Sequence, residues 1–367
     1  MDSPSLIDLS PLLPLLLGGA AISLLPLCWV WLRQRSATPA KRLQALTVVT
    51  LFLTFDLVLF GAFTRLTDSG LGCPDWPGCY GSASPIGASA EIAAEQAALP
   101  TGPVTHGKAW VEMIHRYLAT SVGGLIVVLL VMAWQQKVAN LWWPALTLVW
   151  VCIQGAFGAL TVTMKLFPAI VTLHLLGGYI LLALLTVQAA RPAGPIRARV
   201  PVSVGVQVAL VAALVWLMLQ AASGAWVSTN YAVLACSDFP LCQGSWWPAM
   251  AFAQGFELWR PLGLGSDGHP ISFQALTAIH FTHRALAVVT VVVLALLAWR
   301  LRTQQGFSTP LRWLVALVGL QVLTGLSNVV LDWPLAAAVL HTGGAGALVV
   351  VLVWLLCLSS APREVRL

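Results

Sequence analysis

Charged side chains are scarce in this 367-residue sequence, at 9% of all residues. A soluble domain carries roughly 25% charged residues, so the deficit excludes an ordinary water-exposed globular surface. Apolar residues make up 59% of the chain and form nine long runs. Runs of about 18 residues or more cross a bilayer as helices. We therefore predict an all-α polytopic membrane protein with spans at 12–32, 43–64, 109–134, 141–163, 168–190, 201–227, 275–299, 311–331 and 335–358.

We also expect no cleavable secretory signal at the start of this sequence. The first apolar run exceeds the roughly 7–15 residues of a signal core, and the residues before it are acidic rather than basic. We therefore expect 12–32 to be a retained accessory helix that, with the loop after it, fills 1–42. The short chain shows no transit peptide, which favours a bacterial inner (cytoplasmic) membrane.

The net charge of +6 does not indicate nucleic-acid binding, because its distribution follows the membrane. If loop 33–42 is cytoplasmic and the chain alternates across nine spans, 13 of the 19 Lys and Arg residues lie on the cytoplasmic side. Such an excess in short loops is the positive-inside rule, so we predict a periplasmic N-terminus and a cytoplasmic C-terminus. The thirteen are Arg33, Arg35, Lys41, Arg42, Lys137, Arg191, Arg197, Arg199, Arg300, Arg302, Arg312, Arg363 and Arg366.

An internal repeat relates two parts of the chain, 43–190 and 201–358. Each part holds four spans, and an even number of spans preserves orientation. We therefore predict two parallel four-helix bundles related by a pseudo-twofold axis along the membrane normal. The matches are CPDWPGC (73–79) with CSDFPLC (236–242), MIHRYLA (113–119) with FTHRALA (281–287), QGAFGALTV (154–162) with QVLTGLSNV (321–329), and TLHLLGG (172–178) with VLHTGGA (339–345).

Both cysteine pairs of the repeat fall in predicted outer loops. An outer loop faces an oxidising compartment, where each pair can form a local disulfide, Cys73–Cys79 and Cys236–Cys242. The alternative is a shared zinc ion, which needs four ligands to converge from two distant loops. We favour the disulfides.

Five of the seven histidines lie inside predicted spans, where ionisable residues are rare and usually functional. Four of them form two matched pairs, His115 with His174 and His283 with His341, each six to eight residues from the predicted outer start of its helix. A haem with two axial histidines needs one imidazole from each of two facing helices at one depth. Interhelical hydrogen bonding and a zinc site are the alternatives, but four histidines at matched depths favour haem iron.

An arginine follows the first histidine of each pair, Arg116 after His115 and Arg284 after His283. Arginine binds carboxylates as a bidentate donor, so we expect both arginines to contact the propionates of a haem. Glycines follow the second histidine of each pair closely, which lets a flat ring approach the backbone.

One position breaks the symmetry of the repeats. Glu112 lies three residues before His115, on the same helical face, whereas its counterpart is His280. A carboxylate inside a membrane is costly and indicates function, so we expect Glu112 to accept protons in a reaction. The alternative is that Glu112 only pairs with Arg116 or Arg65. This asymmetry suggests one haem site that reacts and one that passes electrons.

These motifs resemble the haem A synthase family over nearly all of 43–358. The resemblance implies two successive oxidations of the C8 methyl of haem O, giving the formyl group of haem A for terminal oxidases. It is carried by TRLTDSGLGCPDWPGC (64–79), EMIHR (112–116), the histidine of TLHLLGG (172–178), HFTHR (280–284) and HTGG (341–344). The span at 12–32 is additional to the usual eight of that family.

The resemblance also implies roles for the site residues. The C-terminal half would hold a permanent haem b on His283 and His341, and the N-terminal half would hold the substrate haem beside His115 and His174. Glu112 would contribute to the chemistry. Expected partners are haem O synthase (a farnesyltransferase) and cytochrome oxidase assembly, with no nucleic acid, and a homo-oligomer is compatible with them.

Two other functions compete with this one. A di-haem b-type electron-transfer cytochrome would hold two permanent haems, but two equivalent sites would not need a carboxylate in only one half. A repeat-built transporter would place polar groups in a midplane cavity between broken helices. Here the polar groups cluster near the predicted outer surface, which disfavours transport.

Overall fold

The protein is an all-α polytopic membrane protein in a computed structural model that describes residues 6–138, 140–191 and 200–360. Within those residues, nine helices are long and apolar enough to cross a membrane, which confirms the predicted spans. Many of their large apolar side chains are exposed, as lipid contact requires. Four predicted inner-side arginines, Arg197, Arg199, Arg363 and Arg366, lie outside the described residues.

Eleven α-helices occur in the described residues, and two of them are short. They are α1 (Leu12–Arg33), α2 (Pro39–Leu66), α3 (Ser89–Ala98), α4 (His106–Gln135), α5 (Trp142–Thr163), α6 (Pro168–Ala189), α7 (Val204–Thr229), α8 (Phe252–Gly255), α9 (Phe273–Leu301), α10 (Ser308–Val330) and α11 (Leu335–Leu358). Single 3-10 turns occupy Ala232–Ala235 and Gln305–Phe307.

Four two-residue strands form two parallel pairs. Strand β1 (Ile7–Asp8) pairs with β2 (Trp76–Pro77), and β3 (Val200–Pro201) pairs with β4 (Ser359–Ser360). The first pair ties the segment before α1 to the loop that carries the first cysteine pair. The sequence gives no signal for strands this short.

Hydroxyl side chains start the first and second long helices of each repeat. Thr38, Thr105, Ser203 and Ser272 cap α2, α4, α7 and α9, each accepting a hydrogen bond from the backbone N–H three residues on. An N-cap of this kind satisfies a backbone donor that the helix leaves unpaired. Helices α4 and α9 therefore begin a few residues before the predicted spans at 109 and 275.

The chain divides into two compact units between Leu181 and Leu182. In the first unit, α1 packs along α4, where Ser23 Oγ donates to the backbone oxygen of Ser121 at 3.0 Å. In the second unit, α7 packs against α9 and α11, and α10 packs against α11. The limits and the symmetry of the two predicted repeats remain predictions.

Candidate functional site

Each unit carries one cysteine loop, the first at residues 73–82 and the second at 236–245. Disulfide bonds join Cys73 to Cys79 and Cys236 to Cys242, as expected from the sequence. All four sulfur atoms are bonded in these disulfides, so none is a free thiolate for the alternative zinc ion.

The backbone of each cysteine loop is held by an aspartate two residues after the first cysteine. Asp75 accepts hydrogen bonds from the N–H groups of Tyr80 and Gly81 at 2.6 and 2.8 Å. Asp238 accepts from Gln243 and Gly244 at 2.7 and 2.8 Å. Both glycines have a φ of +70°, a conformation that glycine adopts without steric cost. These backbone N–H bonds, that of Gly244 above all, lower the pKa of Asp238.

The two arginines bind the carbonyl oxygens of the cysteine loops. Arg116 Nη1 donates to the carbonyls of Asp75, Pro77 and Gly78, the first two at 3.0 Å. Arg284 donates to three carbonyls of the second loop at 2.7–2.9 Å, those of Cys236, Asp238 and Leu241. Most of their donors are already used, so contact with haem propionates stays a prediction. Their observed role is to fasten each cysteine loop to α4 or α9.

Glu112 and His280 take the same structural position in the two units. Glu112 Oε2 accepts a hydrogen bond from the backbone N–H of Cys73 at 2.8 Å, and its Oε1 pairs with Arg116. His280 Nδ1 accepts from the backbone N–H of Cys236 at 3.3 Å. Both side chains are buried, with 4% of their surface exposed. The alternative interpretation of Glu112, an ion pair with Arg116, is therefore observed. The proton-accepting role of Glu112 remains a prediction.

All four paired histidines lie against a glycine of another helix. An idealised Cβ at Gly61 would be 3.0 Å from Cε1 of His115, and one at Gly224 would be 2.9 Å from Cε1 of His283. The corresponding distances are 3.7 Å from Gly158 to His174 and 3.1 Å from Gly325 to His341. A side chain at three of these positions would push the ring, so glycine sets where each imidazole lies. The sequence alone did not indicate that these glycines face histidines.

The two histidines of each unit lie close together. In the second unit, the ring centroids of His283 and His341 are 6.4 Å apart, with an angle of 86° between the ring planes. In the first unit, His115 lies within electrostatic range of His174. His115 is nine residues after the start of α4 and His283 ten after the start of α9, whereas the other two are six after theirs.

The surroundings of the Nδ1 atoms differ between the units. Ser223 Oγ lies 2.9 Å from Nδ1 of His283, and Thr324 Oγ1 lies 3.0 Å from Nδ1 of His341. In the first unit, the Nδ1 atoms of His115 and His174 are buried and have no hydrogen-bond partner among the described residues. The same scaffold therefore holds its histidines in two different ways.

The family model described as cytochrome oxidase assembly protein, COX15-CtaA, matches residues 44–353. The chain belongs to the COX15-CtaA family. That match includes both cysteine loops and all four paired histidines, and it leaves out α1.

Several relatives of this COX15-CtaA protein carry the name "Heme A synthase". The Shewanella oneidensis relative is 39% identical over 307 residues, which cover 83% of this chain and 93% of the relative. The Rhodospirillum centenum relative is 29% identical over 362 residues, covering 91% and 92%. The Halalkalibacterium halodurans relative is 27% identical over 304 residues, covering 78% and 86%.

A haem fits the residues that this family member brings together. Two metal–nitrogen bonds of about 2.0 Å each account for much of the 6.4 Å between the centroids of His283 and His341, so one metal atom fits between the rings. The glycines beside the rings leave the space in which the imidazole rings themselves lie. Two imidazoles on separate helices are also a common axial ligand set for haem iron.

Sequence reasoning missed Ser223 and Thr324, which hold the second histidine pair. Each immediately precedes a glycine that faces a histidine ring. The signal was visible in the repeat, because the matched residues before Gly61 and Gly158 are phenylalanines. A comparison of the positions where the repeats differ would have found them.

Proposed function

We propose that this protein is a haem A synthase, an oxidoreductase that converts the C8 methyl of haem O to the formyl group of haem A in two successive oxidations. The observation that carries the proposal is the pair of glycine-flanked histidine sites, of which only the first has a buried carboxylate. The relatives named "Heme A synthase" support the same activity. The product serves terminal oxidases, in keeping with a family of cytochrome oxidase assembly proteins.

The two histidine pairs have different roles in this proposal, one for a cofactor and one for the substrate. His283 and His341 hold a resident haem b, which when bound carries electrons. His115 and His174 flank the iron of the substrate haem O in the first unit. The 6.4 Å spacing of the second pair and its hydrogen-bonded Nδ1 atoms suit a retained cofactor.

Glu112 is the residue that takes up protons from the substrate. With water as the oxygen source and an external electron acceptor as the oxidant, the change is R–CH3 + H2O → R–CHO + 4H⁺ + 4e⁻, so protons must leave the site. Glu112 is one helical turn from His115 and is buried beside the first cysteine loop. A carboxylate in this position can accept a proton and release it again. Arg116 and the N–H of Cys73 hold its two oxygens in place.

The cellular setting follows from the same proposal. The chain lies in a bacterial inner membrane with its N-terminus in the periplasm and its C-terminus in the cytoplasm, as the Lys and Arg distribution favours. Both cysteine loops then face the periplasm, where disulfides persist. Haem O synthase supplies the substrate, and cytochrome oxidase assembly takes the product.

The proposal is tested by purifying the protein, supplying haem O and identifying the extracted haems by mass. Haem b together with a hydroxylated or formyl derivative of haem O is the expected result. Haem b alone, at two per chain and unchanged after haem O is supplied, would instead identify a di-haem electron-transfer cytochrome. His174→Ala should abolish the oxidised products, whereas His269→Ala, in an exposed outer loop, serves as the matched control.

A further inference from the structure

The residue before each ring-facing glycine decides what the histidine contacts. In the second unit these residues are Ser223 and Thr324, whose hydroxyls meet Nδ1 of His283 and His341. In the first unit the equivalent residues are Phe60 and Phe157. The four dipeptides are therefore Ser-Gly and Thr-Gly in one unit, and Phe-Gly twice in the other.

The hydroxyl protons of the second unit are already used. Ser223 Oγ donates to the carbonyl of Gln220 at 2.7 Å, and Thr324 Oγ1 donates to the carbonyl of Leu320 at 2.8 Å. Each hydroxyl has one proton, so it can only accept from the imidazole. At His341 this arrangement places the proton on Nδ1 and leaves the Nε2 lone pair free for a metal. At His283 the ring nitrogen meets both the Ser223 hydroxyl and the amide nitrogen of Gln220.

The backbone of the second pair is held as well. The side-chain amide of Gln321 donates to the carbonyl oxygen of His341 at 3.0 Å. Gln220 donates to the carbonyl oxygen of His283 at 3.3 Å, and its nitrogen lies 3.1 Å from Nδ1 of that ring. Each ligand is thus fixed at the ring and at the main chain.

The first unit lacks this support. The ring of Phe60 lies parallel to that of His115, with 6.4 Å between centroids and 9° between planes. A phenyl ring offers no acceptor in its plane to an Nδ1–H. The Nδ1 atoms of His115 and His174 are accordingly unpaired among the described residues, so no described side chain selects the tautomer of either ring.

We propose that Ser223 and Thr324 are positioning residues that make the second unit retain its haem, and that Phe60 and Phe157 keep the first unit exchangeable. A partner for the remote imidazole nitrogen fixes the ring and strengthens it as a ligand, and losing such a partner costs about 10–100-fold in metal affinity. A cofactor must stay through many turnovers, whereas a substrate haem must enter and its product must leave. This inference rests on the proposed function in taking His283 and His341 as the resident haem ligands.

The test uses the full-length protein loaded with haem b in lipid nanodiscs. Thr324→Val and Ser223→Ala remove the acceptors, and Thr324→Ser and Ser223→Thr keep them. The loss of haem b to a scavenger should be about tenfold faster in the first two variants and unchanged in the second two. The haem midpoint potential should rise in Thr324→Val, because a weaker imidazole donor stabilises the ferric state less. A purely structural role would not produce a shift in the haem midpoint potential that the conservative variants reverse.

The reverse change tests the other half of the proposal and does not depend on the stability of the first variants. Phe60→Ser with Phe157→Thr should slow the release of haem O from the first unit. Unchanged release in this double variant, or wild-type haem loss and potential in Thr324→Val, would overturn the inference. A different result would contradict the proposed function: the wild-type protein binds no haem, or the haem that it binds is still present in His283→Ala.

Discussion

The two units share the same backbone scaffold around their cysteine loops and histidines, but they differ in the side chains that contact these groups. In both, an aspartate, an arginine and a disulfide shape a cysteine loop, and two histidines lie against glycines. In the first unit a carboxylate, Glu112, bonds the loop and the histidine Nδ1 atoms are unpaired. In the second, His280 bonds the loop and hydroxyls hold the histidines. On the function proposed above, the shared scaffold would set where each haem lies, and these few side chains would decide whether it reacts or is retained.

The largest expected effect is on the retained haem. His341→Ala should remove haem b entirely from the purified protein, because one of its two axial ligands is lost. The matched change His174→Ala should leave haem b at about one per chain, because its ring belongs to the substrate site. Quantifying extracted haem b in both variants checks this. Equal loss in the two variants would break the comparison between the units.

Glu112→Gln should keep haem b but lower the formation of haem A by about 10²–10⁴-fold, the range that a general acid or base contributes. The amide can still accept from the N–H of Cys73, so the first cysteine loop should stay closed. Product analysis after haem O is supplied measures the effect. His280→Gln is the matched change in the second unit and should leave the formation of haem A nearly unchanged. Full activity in Glu112→Gln would remove this residue from the mechanism.

Alanine at the ring-facing glycines should give a graded effect. Gly325→Ala places a methyl 3.1 Å from His341 and should speed the loss of haem b, since the ring must move. Gly158→Ala places it 3.7 Å from His174, an ordinary contact, and should change substrate conversion little. Each Gly→Ala change favours its helix by about 1 kcal/mol. The difference between the two variants in haem binding therefore reports the contact between the new methyl group and the histidine ring. Equal effects on haem binding would contradict it.

The smallest expected effect is on the second cysteine loop in acid. The N–H of Gly244 above all, with that of Gln243 and the charge of Arg284, holds the pKa of Asp238 below its usual 3.8. Its contribution is therefore present above about pH 4 and is lost as pH falls through the lowered pKa. The amide NMR signals of Gln243 and Gly244 should shift below pH 3.8. Asp238→Asn should abolish this pH dependence, and a titration with identical shifts in both proteins would contradict the assignment.

The sequence predicted most of the scaffold because its signals are strong. Nine apolar runs, duplicated cysteine spacing and matched histidines each follow from simple periodicity or counting. The roles of Arg116 and Arg284 could not be read in this way, because a guanidinium has five donors and binds carbonyls as readily as carboxylates. Their observed partners are loop carbonyls, which have no sequence signature.

The contacts of Ser223 and Thr324 were hidden for another reason. A repeat is recognised by identities, so positions that differ attract no notice, although here they distinguish the two sites. The pairing of β1 with β2 was equally invisible, because two residues carry no periodicity. It links α1, which lies outside the family match, to the first cysteine loop.

The fastening of the cysteine loops has one further consequence. Arg116, Arg284, Asp75 and Asp238 all grip main-chain atoms of these loops and none of their outward side chains. The side chains between these anchoring contacts are therefore free to differ between the two loops. The matched residues Trp76, which is half-buried, and Phe239, which is 62% exposed, are one example. The same anchoring contacts can thus present two different loop surfaces, and substitutions can change either surface while the loop keeps its fold.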